Sequence, residues 1–374
     1  MKIVSYPPLQ SKNTMNYLKV LGALCAFALS ALTVNATVWT VSNNADRPAQ
    51  FTGIQAAIDA ASPGDTLLIT GGQYNGTLTM VKNLVIYGES IEASEFPITY
   101  INGTLNINRF NSSLSASGSR FYGLQFSTVT ISGNFSGAGA GQKTIDDIIF
   151  ERCTFLSTMN QFPEDQLSNI TYRNCLFKNI TIYATYYSAN LSNMLMTNCV
   201  FDNVYFTDNP QGGTTDVNGN IVVRNSMFLN RTSNCFNALA EMVLENNIFY
   251  KAEPTGLVTS TFNNNLTYLC NSNTIPYGDN IGSGNIVNQD PQLTNYPALG
   301  AAHSWDWDYT PQVGSPCLGN GTNGSDIGIS GGNAPVANLP RYAKIPGVTL
   351  LDIPVSSVPV GGTLQINIEA ESRD

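Results

Sequence analysis

The chain has 374 residues, with 17 Lys and Arg against 26 Asp and Glu, a single His, and only 11% charged residues. An acidic balance so poor in cations lacks the basic footprint that nucleic acid or anionic lipid demands, which sets both aside as partners. Sparse charge with abundant Asn, Thr, Ser and Gly suits a β-rich extracellular protein whose polar contacts come from amides and hydroxyls.

Residues 20–34 form an apolar run behind Lys2, Lys12 and Lys19, followed by Val34-Asn35-Ala36 with small residues at −3 and −1 of a cleavage site. About 15 apolar residues fall short of the roughly 20 that span a bilayer, so 1–36 reads as a signal peptide and the mature chain starts near Thr37. Met15 heads a normal leader of its own and is an alternative start to Met1; Cys25 follows Leu24, where a lipoprotein signal wants a small residue. Removing 1–36 takes away three Lys and no acid, leaving 14 basic groups against 26 acidic ones. No later segment reaches membrane-spanning length, so the expected location is extracellular or the cell surface.

Ile54-Gln55-Ala56-Ala57-Ile58-Asp59-Ala60-Ala61 is a short amphipathic helix, and Ser62-Pro63-Gly64-Asp65 turns it into a strand over 66–70. Beyond it, 83–88 and 121–126 are weak copies of a unit that becomes regular in mid-chain. Aligned on Cys153, Cys175, Cys199, Ser226 and Asn247, the segments place Phe155, Phe177, Phe201, Phe228 and Phe249 two residues later, at intervals of 22, 24, 27 and 21 residues. Phe150, Tyr172, Met196, Val223 and Leu244 stand three residues earlier, and Ile148, Ile170, Met194, Ile221 and Met242 five earlier. The period of two excludes an α-solenoid, and one coil-length repeat excludes a β-sandwich. Offsets −5 and −3 therefore point inward from one strand, and offsets 0 and +2 from the next. Between them, at −1, stand Arg152, Asn174, Asn198, Asn225 and Asn246, where a left-handed corner is needed and stacked Asn side chains are expected to bond one another. A second polar column at +4 reads Ser157, Asn179, Asn203, Asn230 and Lys251. The spacing predicts a right-handed parallel β-helix with an N-terminal helix cap, its domain over 37–334, and about 11 coils between 66 and 332 at about 4.8 Å each. After Gly332 five prolines punctuate a linker, and strand-like runs at 348–353 and 363–370 form a short two-stranded tail over 335–374. That tail is expected to pack on the solenoid or to give an edge to a surface protein partner.

The run 54–74 resembles the opening segment of pectin-lyase-like right-handed β-helix proteins. Gly284-Asn285-Ile286, Asp290-Pro291-Gln292-Leu293, Gly314-Ser315-Pro316-Cys317 and Asp326-Ile327-Gly328 resemble the closing coils of secreted bacterial β-helix repeat proteins. The resemblance spans about residues 50–332; it implies the fold and says little of activity, because that superfamily contains lyases, hydrolases, adhesins and proteins of no known reaction.

Candidate chemistry is thin. Asp146 and Asp147, with Glu151 and Arg152 nearby, are the densest charges beside a strand, but the N-x-D, G-H-G and R-x-K companions of polygalacturonase-like members are missing. The resemblance implies an Arg or Lys base for a lyase, with calcium as a cofactor under that alternative alone. The outward column at −2 reads Glu151, Arg173, Thr197, Arg224 and Glu245, so Arg173 and Arg224 are the weak catalytic candidates on that side. Trp305, Asp306, Trp307 and Asp308 alternate; if extended, they would set two carboxylates on one face and two aromatics for sugar stacking on the other, although closing-coil core is the simpler reading. His303 stands alone, with no G-x-S-x-G to serve, and reads as a loop residue. Cys153, Cys175, Cys199, Cys235, Cys270 and Cys317 read as buried thiols, and the lack of any C-x-x-C pair argues against zinc. Sequons at Asn75, Asn102, Asn179, Asn230 and Asn320 follow from an Asn- and Thr-rich composition. The reading that fits best is non-catalytic recognition of polysaccharide or surface glycan, or adhesion; the alternatives are a polysaccharide lyase or glycoside hydrolase, and a structural surface component.

Overall fold

The computed structural model describes residues 36–93, 97–110, 114–132, 144–162, 166–185, 190–208, 221–237, 239–341, 347–352 and 367–371. The chain divides into two compact units, Met1–Ala36 and Thr37–Asp374. The expected signal segment lies outside the described residues, and all the described strands and helices belong to the second unit.

Its strands stack in parallel. One ten-stranded sheet runs from Val38–Val41 to Thr261–Asn263, and a thirteen-stranded sheet carries the short strands that follow each corner, ending at Leu266–Tyr268. Phe155, Phe177, Phe201, Phe228 and Phe249 are direct register partners from rung to rung. Their rings stack at 4.7, 5.1, 4.7 and 4.5 Å between centroids. The expected right-handed parallel β-helix is therefore the fold. Helix Ile54–Ala60 buries Ile54, Ala57 and Ile58 at the first end. Asp65 ties that end together, its carboxylate accepting from the Thr37 N–H at 2.7 Å, the Ser62 N–H at 2.8 Å and the Trp39 indole at 2.9 Å.

Three corners shape each coil. The two polar columns read from sequence lie in the left-handed region at Arg152, Asn174, Asn198, Asn225 and Asn246, and at Asn179, Asn203, Asn230 and Lys251. A third column, Asp147, Asn169, Asn193 and Glu241, does the same six residues before the thiol position. Asn and Asp tolerate this conformation because a short polar side chain bonds locally.

Two expectations need correction. First, the Asn column at −1 does not bond to itself. Mutual amide bonds form instead inside the core, where Asn247 donates to Asn265 at 3.0 Å and Asn265 to Asn285 at 3.2 Å, continuing the Cys153–Cys175–Cys199–Ser226 column, and at the other two corners, where Asn203 donates to Asn179 at 3.0 Å and Asn193 to Asn169 at 3.2 Å. The asparagines of the −1 corner engage the C-terminal segment. Second, residues 290–341 add no further parallel coils. Stacking ends at the bridges Thr261↔Ile281 and Leu266↔Ile286, after which Leu293–Asn295 pairs antiparallel with Asp308–Pro311. The chain then runs back along the stack as a strap. Asn264 donates to the Asn320 carbonyl, Asn225 to Asp326, Asn198 to Ile329 and Gly331, and Asn174 to Ala334; finally the Ile91 N–H donates to the Arg341 carbonyl.

The strap covers a second apolar layer. Leu176, Val200, Met227, Ile248 and Leu266, on the outer face of the short strands, pack with Leu293, Tyr309, Cys317, Ile327, Ile329 and Leu339. Beyond it, Gly347–Asp352 and Asn367–Glu371 form an antiparallel hairpin.

All six cysteines from Cys153 to Cys317 are buried and free. One core residue is poorly matched to its place: Tyr172 stacks 5.2 Å from Phe150, fully buried, and its hydroxyl has no hydrogen-bond partner. An orphaned buried hydroxyl costs about 1–3 kcal/mol. Tyr172→Phe is expected to raise the free energy of unfolding by about 1 kcal/mol, the small void offsetting part of the gain. Urea titration measures this, and a destabilised variant would mean the hydroxyl has a partner.

Candidate site: a polar cleft between the stack and the strap

Because the coils stack in register, the outward column at −2 becomes a straight track: Tyr122, Glu151, Arg173, Thr197, Arg224, Glu245 and Asn263 are successive partners. Rungs about 4.8 Å apart bring each side chain within reach of its neighbours. Glu151 engages Arg173 at 3.4 Å. Thr197 is turned into its own corner, its hydroxyl donating to Asn198 at 2.7 Å. Arg224 has no ion-pair or hydrogen-bond partner for its guanidinium among the described residues.

The strap gives Arg224 a wall. Residues Thr322–Gly324 form a single 3-10 turn, fixed because the Thr322 N–H donates to Asn246 Oδ1 at 2.9 Å and its hydroxyl to Glu245 at 2.5 Å. Between turn and sheet lies a cleft of about 340 Å³, lined by Arg224, Asn225, Glu245, Asn246, Asn323 and Asn333 among others. One cation, one carboxylate already holding a hydroxyl, and several amides face the same space.

The other acidic candidates lie elsewhere. Asp146 accepts from Ser168 Oγ at 2.6 Å and Asn169 Nδ2 at 2.7 Å, while Asp147, at a left-handed corner, pairs with Arg120 at 2.6 Å. Both sit near the start of strand Thr144–Glu151, five and four residues before Glu151 and so roughly 13–16 Å from its column. The structure therefore joins neither aspartate to Arg173 or Arg224. Among the described residues, no three carboxylate, imidazole or thiol side chains converge as a cation site would require.

Trp305 to Asp308 is not one extended run. The Trp307 N–H closes a turn on the Ser304 carbonyl at 3.2 Å, and the strand begins only at Asp308. Asp306 is exposed, whereas Asp308 accepts from the Thr310 N–H at 2.8 Å, so the two carboxylates do not share a face. Trp305 and Trp307 are half-buried against the second apolar layer. His303 is buried in the strap rather than lying in an open loop. Its Nδ1 is 2.8 Å from the Tyr309 hydroxyl, and its Nε2 is buried without a partner. Burial, with smaller contributions from Lys178 and Arg341, pushes its pKa down to about 3.

Stacked parallel rungs around a dry core, with a C-terminal strap along one side, define the class: a parallel β-helix. No protein-family model and no curated protein matches the chain. Among solved structures it is similar to a rhamnogalacturonan lyase at 10% identity, covering 70% of this chain and 91% of that one, with a TM-score of 0.39. A carrot pectin methylesterase is similar at 13% identity, over 68% and 85%, with a TM-score of 0.30. A pectin methylesterase in complex with a hexasaccharide is similar at 14% identity, over 75% and 99%, with a TM-score of 0.28. The fold rests on the strand register, and these likenesses carry no functional argument. Among the described residues, no helix is long and apolar enough to cross a membrane.

Proposed function

We propose that this is an extracellular, non-catalytic recognition protein that holds a polysaccharide in the cleft between the strap and the Arg224–Glu245 track. The supporting observation is the Arg224 guanidinium, which borders an amide-lined cleft while Asp146, Asp147 and Arg173 already satisfy other side chains. Sugars present many hydroxyls and few apolar faces, and amides that both donate and accept suit them. A glycan array should give binding without turnover. Arg224→Ala should weaken that binding roughly 10- to 100-fold, through the loss of charge-assisted hydrogen bonds worth about 1.5–3 kcal/mol. Unchanged affinity would remove the cleft from consideration. Elimination on a uronate polymer, seen as absorbance of an unsaturated product, would instead favour a lyase with Arg224 as its base.

A further inference from the structure

Each coil has a third straight side, beyond the corner at +4, along which Leu78–Met80, Thr99–Asn108, Gln125–Ser132, Thr154–Phe162 and Thr181–Thr185 stack in one sheet. Leu78, Leu105, Val129, Met159 and Ile182 are successive register partners there, and all are buried. Strand alternation turns the residues flanking each of them outward. One outward column reads Thr104, Thr128, Thr158 and Thr181; the other reads Thr79, Asn106, Thr130, Asn160 and Tyr183. Thr-Leu-Asn, Thr-Val-Thr and Thr-Met-Asn thus recur at 104–106, 128–130 and 158–160. The array ends at Tyr183 and at Tyr205, the next partner of Thr181.

None of the side chains in these two columns is charged, all are partly exposed, and none has a hydrogen-bond partner among the described residues. Rungs about 4.8 Å apart hold neighbouring hydroxyls too far from one another to bond, so each is left to water. Thr is stiff at χ1, which gives its hydroxyl and its methyl fixed places on a sheet. The outcome is a rectangular net of hydroxyls, amides and methyls, about 4.8 Å between rungs and about 6.6 Å between the two columns.

A partner that engages every point of such a net must itself repeat in two dimensions, which a dissolved glycan or a folded protein does not. The oxygen rows on a prism face of ice form a rectangular net close to these dimensions. Water both donates to and accepts from each hydroxyl, and the methyls between them bring no charge to desolvate. Crystalline polysaccharide also repeats, but its apolar sugar faces call for aromatic platforms, and Tyr183 and Tyr205 stand only at one end of the array. We propose that this side is an ice-binding face, on which water ordered by the Thr and Asn side chains joins the lattice of a growing crystal. Contacts that are weak singly add up across the rungs, because the stack fixes them relative to one another. The proposal does not rest on the glycan reading, whose cleft opens at the −1 corner.

The test is the effect of the full chain on polycrystalline ice held just below its melting point. Wild type at micromolar concentration should stop the crystals from coarsening and should facet a single growing crystal. Thr128→Lys, with Thr158→Lys as a second variant, breaks the middle of the net and should lose both effects while keeping the wild-type circular dichroism spectrum. Thr171→Lys places the same charge on the outer face of the ten-stranded sheet, on strand Gln166–Arg173, and should keep both. Coarsening unaffected by wild type, or inhibition that survives the lysines at 128 and 158, would overturn the proposal. Equal loss in Thr171→Lys would overturn the assignment to this side. Wild type that leaves ice unaffected but sediments with microcrystalline cellulose, and no longer does so as Thr128→Lys, would replace ice by a crystalline polysaccharide.

Discussion

Phe177→Ala is expected to lower the free energy of unfolding by about 3–5 kcal/mol, the cost of emptying a core aromatic site that cannot collapse. Phe177 is fully buried between Phe155 at 4.7 Å and Phe201 at 5.1 Å, and Tyr172 meets it edge-on at 5.7 Å. In a β-helix the rung spacing is set by backbone hydrogen bonds, so the neighbouring rings cannot slide together to fill the void. Each rung is stabilised chiefly by its neighbours, so the loss also weakens the coupling between the coils on either side. Urea unfolding followed by far-UV circular dichroism should show a lower midpoint and a broader transition than wild type. A loss under about 1 kcal/mol would mean that the ring column is not the continuous core inferred from its stacking. Phe177→Leu, which retains most of the volume, should recover more than half of the deficit.

That column was legible in the sequence because one residue type recurs at one spacing, a pattern with few structural explanations. The strap was not, although a trace of it was present. The residue between the thiol position and the Phe is Leu176, Val200, Met227 or Ile248 in four consecutive coils, so the short strand is apolar on both faces. A strand apolar on both faces is buried on both. The covering segment, 290–341, has no periodicity to announce it, because it crosses the rungs instead of joining them. The same crossing explains the misassigned asparagines: position −1 showed where an amide must stand, but its hydrogen-bond partner comes from a segment 76 to 160 residues distant. At the candidate site, the order of side chains along the track followed directly from alignment. Which arginine stays unpaired did not, since that depends on Glu151 engaging Arg173 and on Thr322 occupying Glu245.

His303 carries the second large expected effect, a loss of stability in acid. In the folded protein its pKa lies at about 3, first because burial disfavours the charged ring and then because Lys178 and Arg341 are near. In the unfolded chain it returns to about 6.5. Between these values the unfolded state binds a proton that the folded state does not, so stability falls as pH falls from about 6.5 towards 3, by up to about 1.4 kcal/mol per unit. Above pH 6.5 the imidazole is neutral in both states and contributes no slope. Over the whole window the loss is on the order of 4 kcal/mol. The Asp202 carboxylate accepts from the His303 backbone N–H at 2.9 Å, so it bonds the main chain and leaves Nε2 unpartnered. His303→Asn keeps a polar atom near the Tyr309 hydroxyl and removes the titration. Denaturant midpoints at pH 7 and pH 4.5 should differ less in this variant than in wild type, the carboxylates that also titrate in acid being common to both. The local readout is tryptophan emission, because Trp305 lies 4.9 Å edge-on from the imidazole and Trp307 packs on the same apolar layer. An acid shift in wild-type emission that precedes loss of β-sheet signal, and is absent in His303→Asn, would locate the cost in the strap; equal pH slopes for the two proteins would refute the assignment.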